Sequence, residues 1–204
     1  MMPDTSAVIL TIGHSNHSVE GFTALLRGAG ATAVADVRSS PFSRHCPHFD
    51  RERLRVCLQA VGVEYAFLGK SLGGRPADPS LFTDGVADYE RMASTPEFER
   101  GIARVLDGAR RYRVALLCSE RDQLDCHRFL LISRALQARG CEVAHVLFDG
   151  TVEHMQEAEQ RLIELTGVQQ VGLFGRTEPD LLDAAYRSRA HAVAYRRRGT
   201  RVSG

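Results

Sequence analysis

The sequence has almost no lysine: of its 26 basic residues, only Lys70 is one. Arginine's planar fork suits bidentate contacts with phosphate and carboxylate, but a whole-chain excess of it is read first as a feature of coding composition. There is no surplus of one charge either. The formal net charge is +1, so no global field points to nucleic acid or a membrane surface. Aromatic residues make up 7%, which leaves few stacking platforms for single strands. No apolar run approaches the roughly 20 residues of a spanning helix. The opening Met1-Met2-Pro3-Asp4 lacks the basic-then-apolar order of a signal peptide. The 5 cysteines form no regular framework; reduced thiols in a cytoplasmic protein are the simplest expectation. No segment repeats at a fixed period.

What is present is an ordinary globular mixture, 44% hydrophobic and 25% charged over 204 residues, long enough to bury a substantial core. Short apolar runs at Val8–Ile12, Thr32–Val37, Val63–Leu68, Arg113–Cys118 and Cys141–Phe148 read as buried strands. Between them lie helical patterns. Ser18 caps one with Phe22, Leu25 and Leu26 inward, and Arg51–Val61 carries Leu54, Leu58 and Val61 on one side. Thr95 caps a helix opened by Pro96. Further helices are expected at Cys126–Arg139, Val152–Leu165 and Leu181–Tyr195. Gly69–Pro76 is turn-rich, and a plain turn is preferred there to a phosphate loop because Walker spacing is missing. Alternating strands and helices predict an α/β fold, a mostly parallel sheet flanked by helices. Residues 1–175 form its single domain, and 176–204 a C-terminal helix with an arginine-rich tail packed on it or trailing from it.

In open α/β sheets, ligands bind beyond the carboxyl ends of the strands. That rule collects His14 and Ser15 after the first strand, Arg38 and Arg44 after the second, and Cys118 and Glu120 after the Arg113–Cys118 strand. Asp125 is placed as a helix N-cap, with Cys126, His127 and Arg128 in the first turn. Free amides there favour an anion and lower a thiol's pKa. The segment therefore supports a reactive Cys126 or Cys118 thiolate. It equally supports an anion-binding turn with Arg128 as fork, or a packed Cys126 with His127 and Arg128 serving neighbouring loops.

No metal is assigned. Cys118, Cys126, His127 and His14 are suitable donors, but seven residues separate the two cysteines, where compact zinc sites use two to four. His45-Cys46-Pro47-His48 resembles a metal cluster only by composition. Cys57 and Cys141 read as structural. An enzyme acting on an anionic substrate (a nucleotide, a phosphoester or nucleic acid) is preferred. Arg38, Arg44 and Arg128 hold the anion beside Ser15 and Cys118, Glu120 or His14 moves the proton, and Cys126 with His127 supplies a nucleophile. The alternatives are a non-catalytic nucleic-acid-binding module, resting on the seven arginines from Arg176 onward, and a metal-binding Cys/His protein. No cofactor is named.

Several blocks occur in order: Thr11-Ile-Gly-His-Ser15, Asp36-Val-Arg-Ser-Ser-Pro-Phe-Ser-Arg44, Tyr65-Ala-Phe-Leu-Gly-Lys-Ser-Leu-Gly-Gly-Arg-Pro76, Leu117-Cys-Ser-Glu120 and Cys126-His-Arg128. With Leu173-Phe174 and Ala185-Tyr186 near the end, they resemble the bacterial and archaeal family known as domain of unknown function 488. The resemblance implies a Rossmann-like α/β fold. It also implies that His14, Arg38, Arg44, Cys118, Glu120, Cys126, His127 and Arg128 are signature polar positions. It implies no defined activity; the suggestion of nucleic-acid processing rests on context. The chain departs from the family pattern at His45 and Cys46, where an apolar residue and Asn are usual. It departs again at Asp122-Gln123, where an Asp-Pro turn is common.

Overall fold

The computed structural model describes residues 8–168 and 178–197. Six strands form the main sheet: β1 (Ile9–Gly13), β2 (Ala33–Asp36), β3 (Glu64–Phe67), then β6 (Val114–Cys118), β7 (Val143–Val146) and β8 (Val152–His154). Their spatial order is β3-β2-β6-β1-β7-β8. All pairings are parallel except β7 with β8. β1, β2, β6 and β7 are buried at every residue, as apolar runs covered on both faces should be. The small strands β4 (Phe82–Thr83) and β5 (Val86–Ala87) form a separate hairpin.

Helices cover both faces, so the architecture is the Rossmann-like α/β fold expected. On one face lie α1 (Val19–Gly28) and α2 (Arg51–Ala60), which pack Phe22, Leu26, Leu54 and Leu58 on Leu10, Ile12, Val34 and Leu117. The other face carries α3 (Gly69–Leu72), α4 (Tyr89–Ala93), α5 (Pro96–Ala109), α6 (Arg134–Gln137), α7 (Met155–Thr166) and α8 (Glu178–Val193). There Phe98, Ile102, Phe129 and Leu162 close over Ile9, Ala35 and Leu116. Each such side chain contributes about 1.5–3 kcal/mol of burial. The predicted caps hold: the Ser18 side chain accepts from the Gly21 amide and Thr95 from the Phe98 amide.

Four local expectations are corrected. Val61 is 44% exposed rather than inward, because α2 ends at Ala60. Gly69–Leu72 forms one helical turn, α3, rather than a plain turn. The pattern from Val152 does not start a helix: Gly150, at φ 92°, turns the chain back so that Val152–His154 pairs with β7 before α7 begins. The helix expected at Cys126 has its first helical residue at His127 and passes at once into a π-helical turn, Arg128–Ser133. Ser133 Oγ donates to the Arg128 carbonyl there at 2.7 Å.

α8 packs on the domain through buried Ala185 and Tyr186, and Tyr186 donates to Glu159 at 3.0 Å. Beyond it, the Tyr195 carbonyl accepts from the Ala87 amide at 2.9 Å. Leu173-Phe174 and the tail from residue 198 lie outside the described residues. Among the described residues, no helix is long and apolar enough to cross a membrane.

Candidate functional site

β6 lies between β1 and β2, so the loops after these three strands leave the same stretch of the sheet's carboxyl edge. Gly13 pairs in register with Cys118. The next two amides continue the ladder, His14 to the Cys118 carbonyl and Ser15 to the Ser119 carbonyl. The Glu120 backbone then crosses directly over Gly13, and a Cβ there would overlap the Glu120 carbonyl. Glycine is required at 13 because two backbone segments meet at that point.

His14 is 3% exposed. Its Nδ1 lies 2.9 Å from the Ser15 carbonyl, which can only accept, so Nδ1 carries the proton. Nε2 is left to accept from the Ser119 hydroxyl at 3.2 Å. Burial, reinforced by the Arg38 charge, lowers the His14 pKa to about 4. The ring is neutral near pH 7 and orients Ser119. Ser15 itself has φ 46°, a left-handed conformation that costs a non-glycine residue about 1 kcal/mol or more.

The segment from Cys118 to Arg128 folds back on itself. Asp122 caps a 3-10 turn (Gln123–Asp125) by accepting from the Leu124 amide. It also binds Arg161 of α7 at 2.8 Å. Asp125 does not cap the following helix: its carboxylate pairs with Arg189 of α8. Cys126 takes that position. Its backbone is extended (φ −133°, ψ 141°), its carbonyl accepts from the Phe129 and Leu130 amides, and its Sγ accepts from the Arg128 amide at 3.4 Å. These are the contacts of an N-cap residue with sulfur in place of oxygen.

The fold-back brings Cys118, Cys126 and His127 together, with their donor atoms all within 4.8 Å of one another. His127 Nε2 lies 3.0 Å from the Val37 carbonyl and must donate to it. Nδ1 therefore faces the two sulfurs, 3.7 Å from Cys118 Sγ and 3.8 Å from Cys126 Sγ. Glu120 Oε2 stands 3.0 Å from Cys126 Sγ. Burial raises the Cys118 thiol, and its neighbour Cys126 pushes the same way. Burial opposes ionisation of Cys126 too, but the Cys118 hydrogen bond and the Arg128 and His127 charges outweigh it and hold that thiol well below its usual range. Glu120 is raised by burial and by Cys126. His127 is lowered by burial but raised on balance by Cys126.

Two arginines expected to hold an anion are committed within the fold. Arg38, 3% exposed, forks onto Asp36 at 2.9 and 2.6 Å and donates to the Phe49 carbonyl at 3.0 Å. Arg128, 1% exposed, donates to the Glu120 and Arg121 carbonyls at 2.8 and 3.2 Å, fixing the loop rather than offering a free fork. Arg44 is exposed and does not line the cleft described next. Cys46 and His48 bond separately, to the Ser15 and His17 carbonyls, so the 45–48 cluster does not converge.

A cleft of about 290 Å³ opens above this cluster, lined by Arg38, Ser39, Ser40, Gly74, Arg75, Cys118, Ser119, Glu120, Asp125, His127 and the aromatic rings of Tyr89 and Tyr195. Cys126 is buried and is not part of its wall. The larger hollow of about 580 Å³ beside α4, α5, α6 and α8 is mainly apolar and holds none of the cluster.

Arg75, Ser119 and Asp36 stand near strand ends in the sequence, but the sequence alone assigns them no role. Arg75 stands in the Gly73-Gly74-Arg75 turn that follows β3 and α3. That position after a strand end was the available signal. Its amide donates to Ser39 Oγ at 3.0 Å and its guanidinium lies over Tyr195. Gly74 is needed because a Cβ would lie 2.8 Å from the His127 ring. Gly74→Ala is expected to cost about 1–3 kcal/mol of stability, measured by urea unfolding. A change within a few tenths would show that His127 is free to move.

The fold and this edge define an α/β protein with a buried thiol, imidazole and carboxyl cluster under a polar cleft. The chain belongs to the family Domain of unknown function DUF488, whose model matches residues 18–135. The match runs from the Ser18 cap into α6, including Arg38 through Arg128 and leaving His14 and Ser15 outside. No curated protein and no solved structure matches the chain.

Proposed function

We propose that the chain is an enzyme acting on an anionic substrate in the cleft, with Glu120 carrying the proton. The observation that supports this reading is the meeting of three unlike groups in one polar hollow. They are the Glu120 carboxyl, the Arg75 guanidinium and the Ser119 hydroxyl held by His14. Among the described residues, Arg75 has no carboxylate partner and leans on Tyr195. It is the cation placed to meet a phosphate or carboxylate. Arg38 lines the same wall, but its charge is met by Asp36, so the reading rests on Arg75. A non-catalytic nucleic-acid module is supported less well, because Arg187 and Arg189 of α8 are paired with Glu90 and Asp125.

The test uses inorganic phosphate as a binding probe and bis(p-nitrophenyl) phosphate as a substrate probe. Arg75→Ala should weaken phosphate binding roughly tenfold, the loss of one charged hydrogen bond. Glu120→Gln should leave phosphate affinity within about twofold yet lower ester turnover by about 10²–10⁴-fold. No phosphate binding and no turnover, or a fully active Glu120→Gln, would overturn the reading.

A further inference from the structure

We propose that Cys118 Sγ, Cys126 Sγ and His127 Nδ1 form a zinc site whose fourth position opens to the cleft. The inference concerns the same site as the enzymatic reading and takes that reading as its setting. It rests first on distances. A tetrahedral zinc ion, with bonds of about 2.3 Å to sulfur and about 2.0–2.1 Å to nitrogen, holds those donors about 3.5–3.6 Å apart, and two sulfurs about 3.8 Å apart. The two sulfur–nitrogen separations here are 3.7 and 3.8 Å, with all three donor atoms within 4.8 Å of one another. Small side-chain adjustments bring them onto one ion.

The second support is orientation. His127 already donates Nε2–H to the Val37 carbonyl, which fixes the ring and turns the Nδ1 lone pair toward the sulfurs. A backbone carbonyl on the far nitrogen is the usual partner of a metal-bound imidazole. Cys126 Sγ also accepts the Arg128 amide at 3.4 Å. A backbone donor on sulfur suits a metal-bound thiolate. Gly74 lets the neighbouring loop close down on the ring.

The third support is the donor set and its opening. Two thiolates and one imidazole suit zinc and reject magnesium, calcium and manganese, which prefer oxygen. Three protein donors with one open position is the arrangement of catalytic rather than structural zinc. Cys118, His127 and Glu120 line the cleft, and Glu120 Oε2 lies 3.0 Å from the buried Cys126 Sγ. Binding displaces the thiol protons, and any proton on Nδ1, to the solvent. The ion would act as a Lewis acid on an oxygen drawn from the cleft.

The linear objection, seven residues between the cysteines, does not apply. The Asp122–Arg161 and Asp125–Arg189 contacts fold that loop back so that its ends meet.

The test starts from the full chain purified without a histidine tag. Mass-spectrometric elemental analysis should find one zinc per chain. After chelation, cobalt(II) should restore one equivalent of metal with intense thiolate-to-cobalt absorption. Cys118→Ser and Cys126→Ser should each lose the ion. Because these side chains are buried, the decisive measurement is on the unaltered chain. A folded protein, judged by circular dichroism, that carries no zinc and gives no thiolate–cobalt absorption overturns the site. Absence of zinc with Glu120-dependent turnover intact removes the ion and leaves the enzymatic reading. One zinc per chain without phosphate binding or turnover does the reverse.

Discussion

Replacing Asp36 with alanine should lower the unfolding free energy by about 3–5 kcal/mol, the cost of stranding one member of a buried ion pair. Asp36 is fully buried at the end of β2 and its carboxylate takes four hydrogen bonds. They come from the Arg38 amide, Arg38 Nε and Nη2, and the Tyr65 hydroxyl. Without it, Arg38 keeps its charge in a place 3% exposed, with the Phe49 carbonyl as its remaining acceptor. Replacing both residues, as Asp36→Ala with Arg38→Met, removes the stranded charge and should recover a large part of the loss. Urea unfolding of the two single variants and the double variant would measure the coupling. Additive losses would mean that the pair does not act as a unit.

The second large effect is expected in acid. His145 is fully buried and burial lowers its pKa to about 3, with the Arg128 charge adding to the effect. His14 is lowered to about 4. The unfolded chain takes up both protons near pH 6.5, whereas the folded chain refuses them until the lower values are reached. Between those limits the unfolded state binds more protons, so stability falls as pH falls. Each ring contributes about 1.4 kcal/mol per pH unit. Stability measured by urea unfolding should therefore drop steeply from pH 6.5 toward pH 4. In His145→Gln the slope should be shallower by about 1.4 kcal/mol per unit, whatever that substitution does to packing at neutral pH. An unchanged slope would mean that His145 titrates normally in the folded chain.

The fold was largely legible because its strands are short apolar runs and its helices carry their own stop signals. Val114–Cys118 is buried at every residue, and Thr95 with Pro96 marks the start of α5. β8 was hidden for a physical reason. Three residues are too few to show a period, and apolar positions from Val152 onward continue into α7, so the pattern reads as one helix.

The site was legible in part. The rule about strand ends located His14, Arg38, Cys118 and Glu120 on one edge, because it needs only the direction of the strands. It could not reveal how the arginines are used. The acid that claims Arg38 lies two residues before it, and the carbonyls that claim Arg128 become available only after the loop folds. The closeness of Cys118 to Cys126 depends on Arg161 and Arg189, which come from helices much later in the chain. Linear spacing carries no trace of them.

The strand order has a consequence for how the molecule is assembled. β1 and β2 never touch as strands; each pairs with β6. As the chain leaves the ribosome, β2 and β3 can zip together, but β1 has no neighbour until residues 114–118 emerge. Closure of the sheet is then a joining of non-local partners, which is slow relative to local pairing. The strand that completes the seam ends in Cys118, and Glu120 follows it two residues later. A nascent or truncated chain ending before β6 would thus lack both the closed sheet and the cluster of Cys118, Cys126 and His127, and the two would appear in the same folding event.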